Sequence, residues 1–232
     1  MTDYVHVLRT CAANMTSHGG FRWPEAGPVE APDWSDDGEC GGGLHGLLRG
    51  EGDGGLLNWN SVARWLVVRV RAADVRDLGD KVKFPRGEVV HVGDRHSAAA
   101  LIASLHPEAR AIVGYTATAG FGGTATSGDY GTSTSGDYGR STSGYYGTST
   151  AGDYGTSTSG YGGTSTAGYR GTSTSGEGGT AASGDGGIIV IWRYAGGRRR
   201  LVVGYVGENG IKPNVAYKLN NLGEFVEASR HD

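Results

Sequence analysis

The rhythm of hydrophobic and polar positions changes twice along the chain and divides it into three stretches. Up to about residue 114 the pattern is that of a small globular domain. Tyr4-Val5-His6-Val7-Leu8 alternates and predicts a strand, and Trp65 to Val70 predicts a second, buried one. Val82 to Val92 gives one or two more, interrupted at Pro85-Arg86-Gly87. Ser97 to Leu105 predicts a helix that Pro107 stops. Trp23 to Gly43, with Pro24, Pro28 and Pro32 among many glycines, reads as a long irregular loop. Trp23, Trp34, Trp59 and Trp65 all fall in this stretch, so a packed core is expected.

From Thr116 to Gly187 the pattern becomes an octad repeated nine times without a slip of phase, from TATAGFGG to TAASGDGG. Each octad pairs a Thr-Ser-Thr-Ser strand core with a Gly-x-x-Gly corner. Strand propensity followed by glycines as positive-φ turn residues is what a coil requires and a flexible linker does not. A fixed short period marks a stacked architecture. One octad supplies one strand and one corner, so a closed coil takes two octads. Nine octads then give about four and a half coils, a rod about 20 Å long at the usual strand spacing.

Positions one and three of a strand share one face, and positions two and four the other. Positions two and four are always Ser or Ala; positions one and three are Thr except at Arg140 and Ala182. With Ser and Ala inward the interior is thin and Thr forms outer ladders. The inverse orientation leaves more hydroxyls to satisfy inside, so Thr outward is favoured. Odd and even octads do not differ systematically, and both faces are expected to carry similar Thr arrays.

The tail restarts apolar structure. Ile188 to Trp192 and Leu201 to Val206 flank Ala195-Gly196-Gly197, a hairpin signal, and Ala216 to Val226 predicts a second hairpin across Asn220-Asn221-Leu222-Gly223. Repeat arrays need end units that hide the last open edge. The expected fold is therefore an α+β N-terminal domain (1–114), a short β-solenoid with two octads per coil (115–187) and a C-terminal β-hairpin cap (188–232).

Composition narrows the function classes. Of the 44 glycines in 232 residues, half lie in the repeat. Five acids and two bases there account for the whole net charge of −3. Such a balance supplies no counterion-release affinity, so no nucleic-acid partner is expected. The start of the chain lacks the basic and apolar run of a secretion signal, and no apolar stretch reaches membrane-spanning length. Neither a membrane partner nor a compartment other than the cytoplasm is expected, with Cys11 and Cys40 as reduced thiols.

The Thr-x-Thr ladders with Gly-Tyr corners, as in Ala167-Gly168-Tyr169-Arg170-Gly171-Thr172-Ser173-Thr174, resemble the repeats of bacterial ice-nucleation proteins, whose arrays are much longer. Cys40-Gly41-Gly42-Gly43-Leu44-His45, the octads and Gly210-Ile211-Lys212-Pro213 together resemble a family of uncharacterised bacterial and phage proteins. Gly43-Leu44-His45-Gly46 before a Val-rich strand is weakly similar to a segment of ADP-ribosyltransferase-like folds. That resemblance implies a phosphate-steadying Arg9, a pocket-lining His45 and a candidate carboxylate at Glu88. The plainer reading is a Gly-rich loop with one structural histidine.

Cys40 and His45, with Cys11 and His18 in reserve, lack the paired Cys spacing of a zinc site; no metal and no cofactor are expected. Arg198-Arg199-Arg200 reads as a solvated edge. The candidate binding surface is Thr116, Thr118, Thr124, Thr126, Thr132, Thr134, Thr148, Thr150, Thr156, Thr158, Thr164, Thr166, Thr172 and Thr174. The corner residues Tyr130 with Tyr146, and Tyr138 with Tyr154, should stack on opposite edges, either shielding the corners or mediating self-association. The chain reads as a non-enzymatic scaffold or interaction protein, with self as its partner. Alternatives are a Thr array that binds ice or another lattice, and an enzyme in the N-terminal domain.

Overall fold

A computed structural model describes residues 3–228. The chain divides into two compact units, Met1–Tyr115 and Thr116–Asp232. The first is an antiparallel sheet with one helix. Its strands are β1 (Tyr4–Cys11), β2 (Gly27–Glu30), β3 (Leu44–Leu48), β4 (Arg64–Arg71), β5 (Arg76–Asp77), β6 (Val82–Phe84) and β7 (Arg86–Gly93), in the order β2-β7-β4-β1-β3-β6-β5. β4 lies inside the sheet, and Trp65 to Val68 are buried, because both sheet faces are covered. On one face Val5, Val7, Leu66 and Phe84 pack with Trp23 and Val29. On the other, Leu8, Leu47 and Val67 meet Ala98, Ala99 and Ile102 of the helix α1 (Arg95–Leu105). Asp94 caps that helix by accepting from the Ser97 amide at 2.8 Å, so the helix begins two residues before the predicted start.

Three strands here escape the hydrophobic pattern, the two-residue β5 among them. β2 lies within the segment expected to be loop; it is an edge strand, where Pro28 forfeits no ladder bond that a central strand would need. β3 follows directly on Gly41-Gly42-Gly43 and owes its extended form to pairing with β1 and β6.

The second unit is a β-solenoid of about five turns followed by C-terminal strands. Its rungs are β8 (Thr116–Ala119), β9 (Thr124–Thr126), β10 (Thr132–Ser135), β11 (Arg140–Thr142), β12 (Thr148–Ala151), β13 (Thr156–Thr158), β14 (Thr164–Ala167), β15 (Thr172–Ser175) and β16 (Thr180–Ser183). Odd octads stack in one parallel sheet and even octads in the other, each residue opposite its counterpart sixteen positions on, as Thr132 is opposite Thr148. Positions two and four point inward: Ser133, Ser149, Ser157, Ser165 and Ser173 are fully buried.

These small side chains let the two sheets approach closely enough for hydroxyls to bond across the interior. Ser141 Oγ and Ser149 Oγ lie 2.6 Å apart, Ser165 Oγ donates to Ser157 Oγ at 2.8 Å, and Ser157 and Ser173 donate to the carbonyls of Ser149 and Ser165. The core of this unit is thus a polar zipper in place of a hydrocarbon one. Position four is less complete. The Oγ atoms of Ser127, Ser135, Ser143 and Ser159 are buried without a partner, whereas Ser175 and Ser183 reach the carbonyls of Gly163 and Gly171.

The flanking glycines explain themselves by space, not by backbone angle. A Cβ on Gly160 would fall within 2.8 Å of the backbone of Gly144 and Tyr145 one coil below, and a Cβ on Gly147 within 2.6 Å of Ser143 Cβ. The left-handed position of the corner is instead the seventh, with φ between 50° and 74° in all nine octads.

The coil does not stop at Gly187. Ile188 to Ile191, the start of β17 (Ile188–Ala195), form a tenth rung parallel to β15, with apolar residues in place of Thr and Ser. β17 then turns at Gly196-Gly197 into β18 (Arg198–Tyr205), and β19 (Tyr217–Leu219) with β20 (Phe225–Glu227) forms the second hairpin. β19 pairs antiparallel with β16 at Ala181 and Tyr217. Ile189, Ile191, Val206, Ile211 and Tyr217 make a hydrocarbon core over the last coil. The Gly210-Ile211-Lys212-Pro213 segment belongs to it: Ile211 is buried, and Tyr217 Oη accepts from the Lys212 amide at 2.8 Å.

The serine zipper makes a contrast that denaturant unfolding can read. Ser149→Ala removes a hydroxyl shared with Ser141 and should lower stability by about 1–3 kcal/mol. Ser135→Ala removes an unpartnered hydroxyl and should be neutral or stabilising. Equal losses for the two variants would contradict the zipper.

Candidate functional site

The three residues singled out in the N-terminal unit do not form one site. Arg9 lies on β1 and His45 on the adjacent β3, and the Arg9 guanidinium donates to the His45 carbonyl at 3.1 Å. Glu88 lies on β7, separated from β3 by β4 and β1. It accepts from Arg69 at 2.5 Å in a different cleft, of about 680 Å³, where Arg86 also faces Asp74 at 3.6 Å. The grouping of Arg9, His45 and Glu88 is therefore corrected. Glu88 is held by Arg69 of the neighbouring β4, in a cleft that His45 does not line.

Arg9 and His45 do line a common pocket of about 590 Å³ with His18, Cys40 and Lys81. His45 is held below the ordinary histidine range by burial first, then by the positive charges of Lys81, Arg9 and Lys83. Cys40 is exposed, with Lys81 Nζ at 2.9 Å from its sulfur. Cys11 is buried on β1 beside Met15. Among the described residues no three His, Cys, Asp or Glu side chains converge in a way that would hold a metal.

The solenoid carries the more extended constellation. On the face built from the odd octads, Thr116, Thr132, Thr148, Thr164 and Thr180 form one unbroken column in register. Thr118, Thr134, Thr150 and Thr166 form the second, ending at Ala182. Thr180 Oγ1 donates to Thr164 Oγ1 at 3.3 Å along the column. The other face carries Thr124, Thr156 and Thr172, interrupted by Arg140, beside Thr126, Thr142, Thr158 and Thr174. There the columns run on into Ile188 and Val190. The two faces are thus unequal: one interruption and one apolar rung both fall on the even side. Thr142 and Thr180 complete the ladders, and the octad phase alone identifies them.

The corners form two further ladders. Tyr138 and Tyr154 stack at 5.0 Å with planes 7° apart, and Tyr130 and Tyr146 at 5.7 Å and 23°. Residues at the sixth octad position extend both stacks. Phe121 meets Tyr138 and Tyr169 meets Tyr154 on one edge, while Tyr145 and Tyr161 stack at 5.4 Å on the other. These rings share with the seventh-position tyrosines the only feature that could have marked them, an aromatic side chain between the corner glycines.

Aspartates at the sixth position do a different task. Asp129, Asp137 and Asp153 each accept from a backbone amide sixteen residues on, at 2.8–2.9 Å. The seventh-position amides bond to the next coil as well, as Tyr138 N does to Asp153 O at 2.8 Å. The hydrogen-bond ladder therefore continues around the corners, where a turn would ordinarily leave backbone groups to water.

Residues 5–103 match the model of a family described as a domain of unknown function, DUF7666. The chain is also similar to curated ice nucleation proteins. One from Pseudomonas syringae is 47% identical over 104 residues, 44% of this chain and 9% of the relative. One from Xanthomonas campestris pv. translucens is 41% identical over 109 residues, covering 46% and 7%. Ice nucleation protein InaU of Pantoea ananas is 43% identical over 98 residues, covering 41% and 10%. The matched stretch thus spans a tenth or less of these relatives' own length. No solved structure matches the chain.

The corner geometry separates tolerated from forbidden substitutions. Tyr138→Gly gives up a ring stack worth about 0.5–1.5 kcal/mol but relieves a left-handed tyrosine costing about 1–2 kcal/mol. Its net effect should stay within about 1 kcal/mol. Gly160→Ala drives a Cβ into backbone and should cost about 1–3 kcal/mol or more. Thermal unfolding of the two variants checks the order, and a tolerated Gly160→Ala would refute the close approach.

Proposed function

We propose that the odd-octad face of the solenoid is a surface that adsorbs to ice or to another regular lattice of hydroxyl and water groups. The observation that carries this reading is the five-rung Thr column in register beside a four-rung one. Alternate residues along a strand lie about 6.8 Å apart and neighbouring rungs about 4.8 Å. A grid of methyl and hydroxyl groups at those spacings, fixed to backbone that is already ordered, incurs little further entropy cost when it orders a water layer. The likeness to proteins named for ice nucleation supports the same reading. Those relatives are about ten times as long as the matched stretch or longer. A face of five rungs, about 20 Å long, fits adsorption to a crystal, not the initiation of one.

A second reading rests on a separate observation, the aromatic stacks on both edges. Tyr138, Tyr146 and Tyr161 are each close to half exposed or more, and such stacked rings are self-complementary surfaces. Edge-to-edge association of two copies would widen the Thr face as a scaffold without altering it.

Ice recrystallisation and crystal shaping at micromolar protein test the first reading. Wild type should shape crystals, and Thr148→Tyr plus Thr164→Tyr, adjacent rungs of the unbroken column, should abolish the effect. Thr156→Tyr plus Thr172→Tyr on the interrupted face should leave most of it. Absence of shaping by wild type would sink the reading. For the second, sedimentation should show dimers that Tyr138→Gly plus Tyr154→Gly converts to monomers; a monomeric wild type at high concentration would remove it.

A further inference from the structure

The N-terminal unit contains a cation without a counter-ion, and its surroundings have the form of a binding site. The Arg9 guanidinium carbon lies over the Trp23 indole, 3.9 Å from the ring centroid. Two of its N–H groups reach only carbonyls, those of His45 and Thr10 at 3.1 and 3.3 Å. Its Nε is sealed from solvent with no hydrogen-bond partner. No carboxylate pairs with Arg9 or with Lys81 among the described residues. Burial, only partly offset by the neighbouring Cys11, pushes Arg9 down to about 10. A buried cation left in this state is costly unless something anionic joins it.

The cavity beside it supplies room. Arg9, His45 and Lys81 line both the pocket of about 590 Å³ and a smaller one of about 140 Å³. The acid on the larger pocket's wall is Asp33; Asp37, nearby in sequence, is committed to the buried Lys83. The 680 Å³ cleft on β7 differs in that Arg69 and Arg86 there face Glu88 and Asp74. One wall of the Arg9 pocket is the backbone of Gly41-Gly42-Gly43, all with positive φ. A Cβ on Gly42 would meet Ser35 Cβ at 2.9 Å, so the loop is packed down as far as glycine allows. Phe21 and Pro32 give the pocket an apolar side. Its volume falls in the range of about 300–1,000 Å³ that small-molecule sites occupy.

We propose that this pocket binds a phosphate ester of about nucleotide size, its phosphate facing Arg9 and Lys81 and its ring lying against Phe21 and Pro32. A planar guanidinium with no carboxylate partner beside a second cation is a chemistry that selects phosphate over neutral groups. The Lys81 ammonium, now directed at the Cys40 sulfur, is the donor that has to turn. This site lies within the N-terminal unit and does not depend on the Thr face.

Titration calorimetry on the full chain tests the proposal with AMP, inorganic pyrophosphate and adenosine as probes. AMP should bind at submillimolar concentration, pyrophosphate more weakly, and adenosine not measurably. Arg9→Met, which keeps the stem against Trp23, and Lys81→Gln should each weaken AMP binding tenfold or more. Arg69→Gln, in the other cleft, should leave it unchanged. Should Arg9→Met fail to fold, the partly exposed Lys81→Gln still decides. Equal affinity for AMP and adenosine, wild-type affinity in the Lys81→Gln variant, or no phosphate binding at millimolar concentration would each overturn it.

Discussion

At the corners of the repeat from Gly136 onward, the backbone passes the coil beneath it so closely that a single methyl group has nowhere to go. The fifth-position glycine meets the backbone of the coil before, as Gly176 meets Gly160 and Tyr161, and the eighth meets the fourth-position side chain of its own octad. That approach fixes the rung register. Once the corners are locked, each Thr lies opposite its counterpart sixteen residues away, the aspartates reach the next amide, and the inward serines lie within hydrogen-bond reach across the interior. The ladders of Thr and Tyr are consequences of this packing, and a face regular enough to match a lattice follows from it without further specification.

A solenoid with a serine interior obtains little from apolar burial, so its stability is distributed over many backbone and hydroxyl bonds, each worth about 0.5–1.5 kcal/mol net. Such an array is exposed at its ends. At the C-terminal end the chain changes its chemistry within one rung: Ile189 and Ile191 replace Ser at the inward positions, and the hairpins close over them with Val206, Ile211 and Tyr217. The hydrocarbon core absent from the coils is concentrated where the last open edge has to be covered. The antiparallel pairing of β18 with β17 and of β19 with β16 ends both parallel sheets.

Much of the repeat was legible because its side chains vary only where variation is sterically free. The octad phase predicted the sixteen-residue coil, and coil parity predicted the pairing of Tyr130 with Tyr146 and of Tyr138 with Tyr154. What the letters concealed was why glycine occurs. Glycine stands at positions five and eight for want of space, while the left-handed residue is the seventh, where tyrosine and arginine also occur. The tenth rung was hidden because Ile188 to Ile191 break the Thr-Ser chemistry while keeping the geometry. In the N-terminal unit β2 and β3 arise from pairing with distant strands, which local propensity does not record. The same sheet order separates Glu88 from His45, residues that the weak ADP-ribosyltransferase-like resemblance had set together.

Amide hydrogen exchange across residues 116–187 of the intact chain tests the central claim most directly. Locked corners predict slow exchange at the turn amides of Tyr130, Tyr138, Tyr146 and Tyr154, which donate to the next coil, as well as along the strands. Protection should be lowest toward β8 and β9, at the ends of their sheets, and rise toward the capped end. Exchange at the rate of an unstructured chain at those four tyrosines, with or without protection in the strands, would contradict the account.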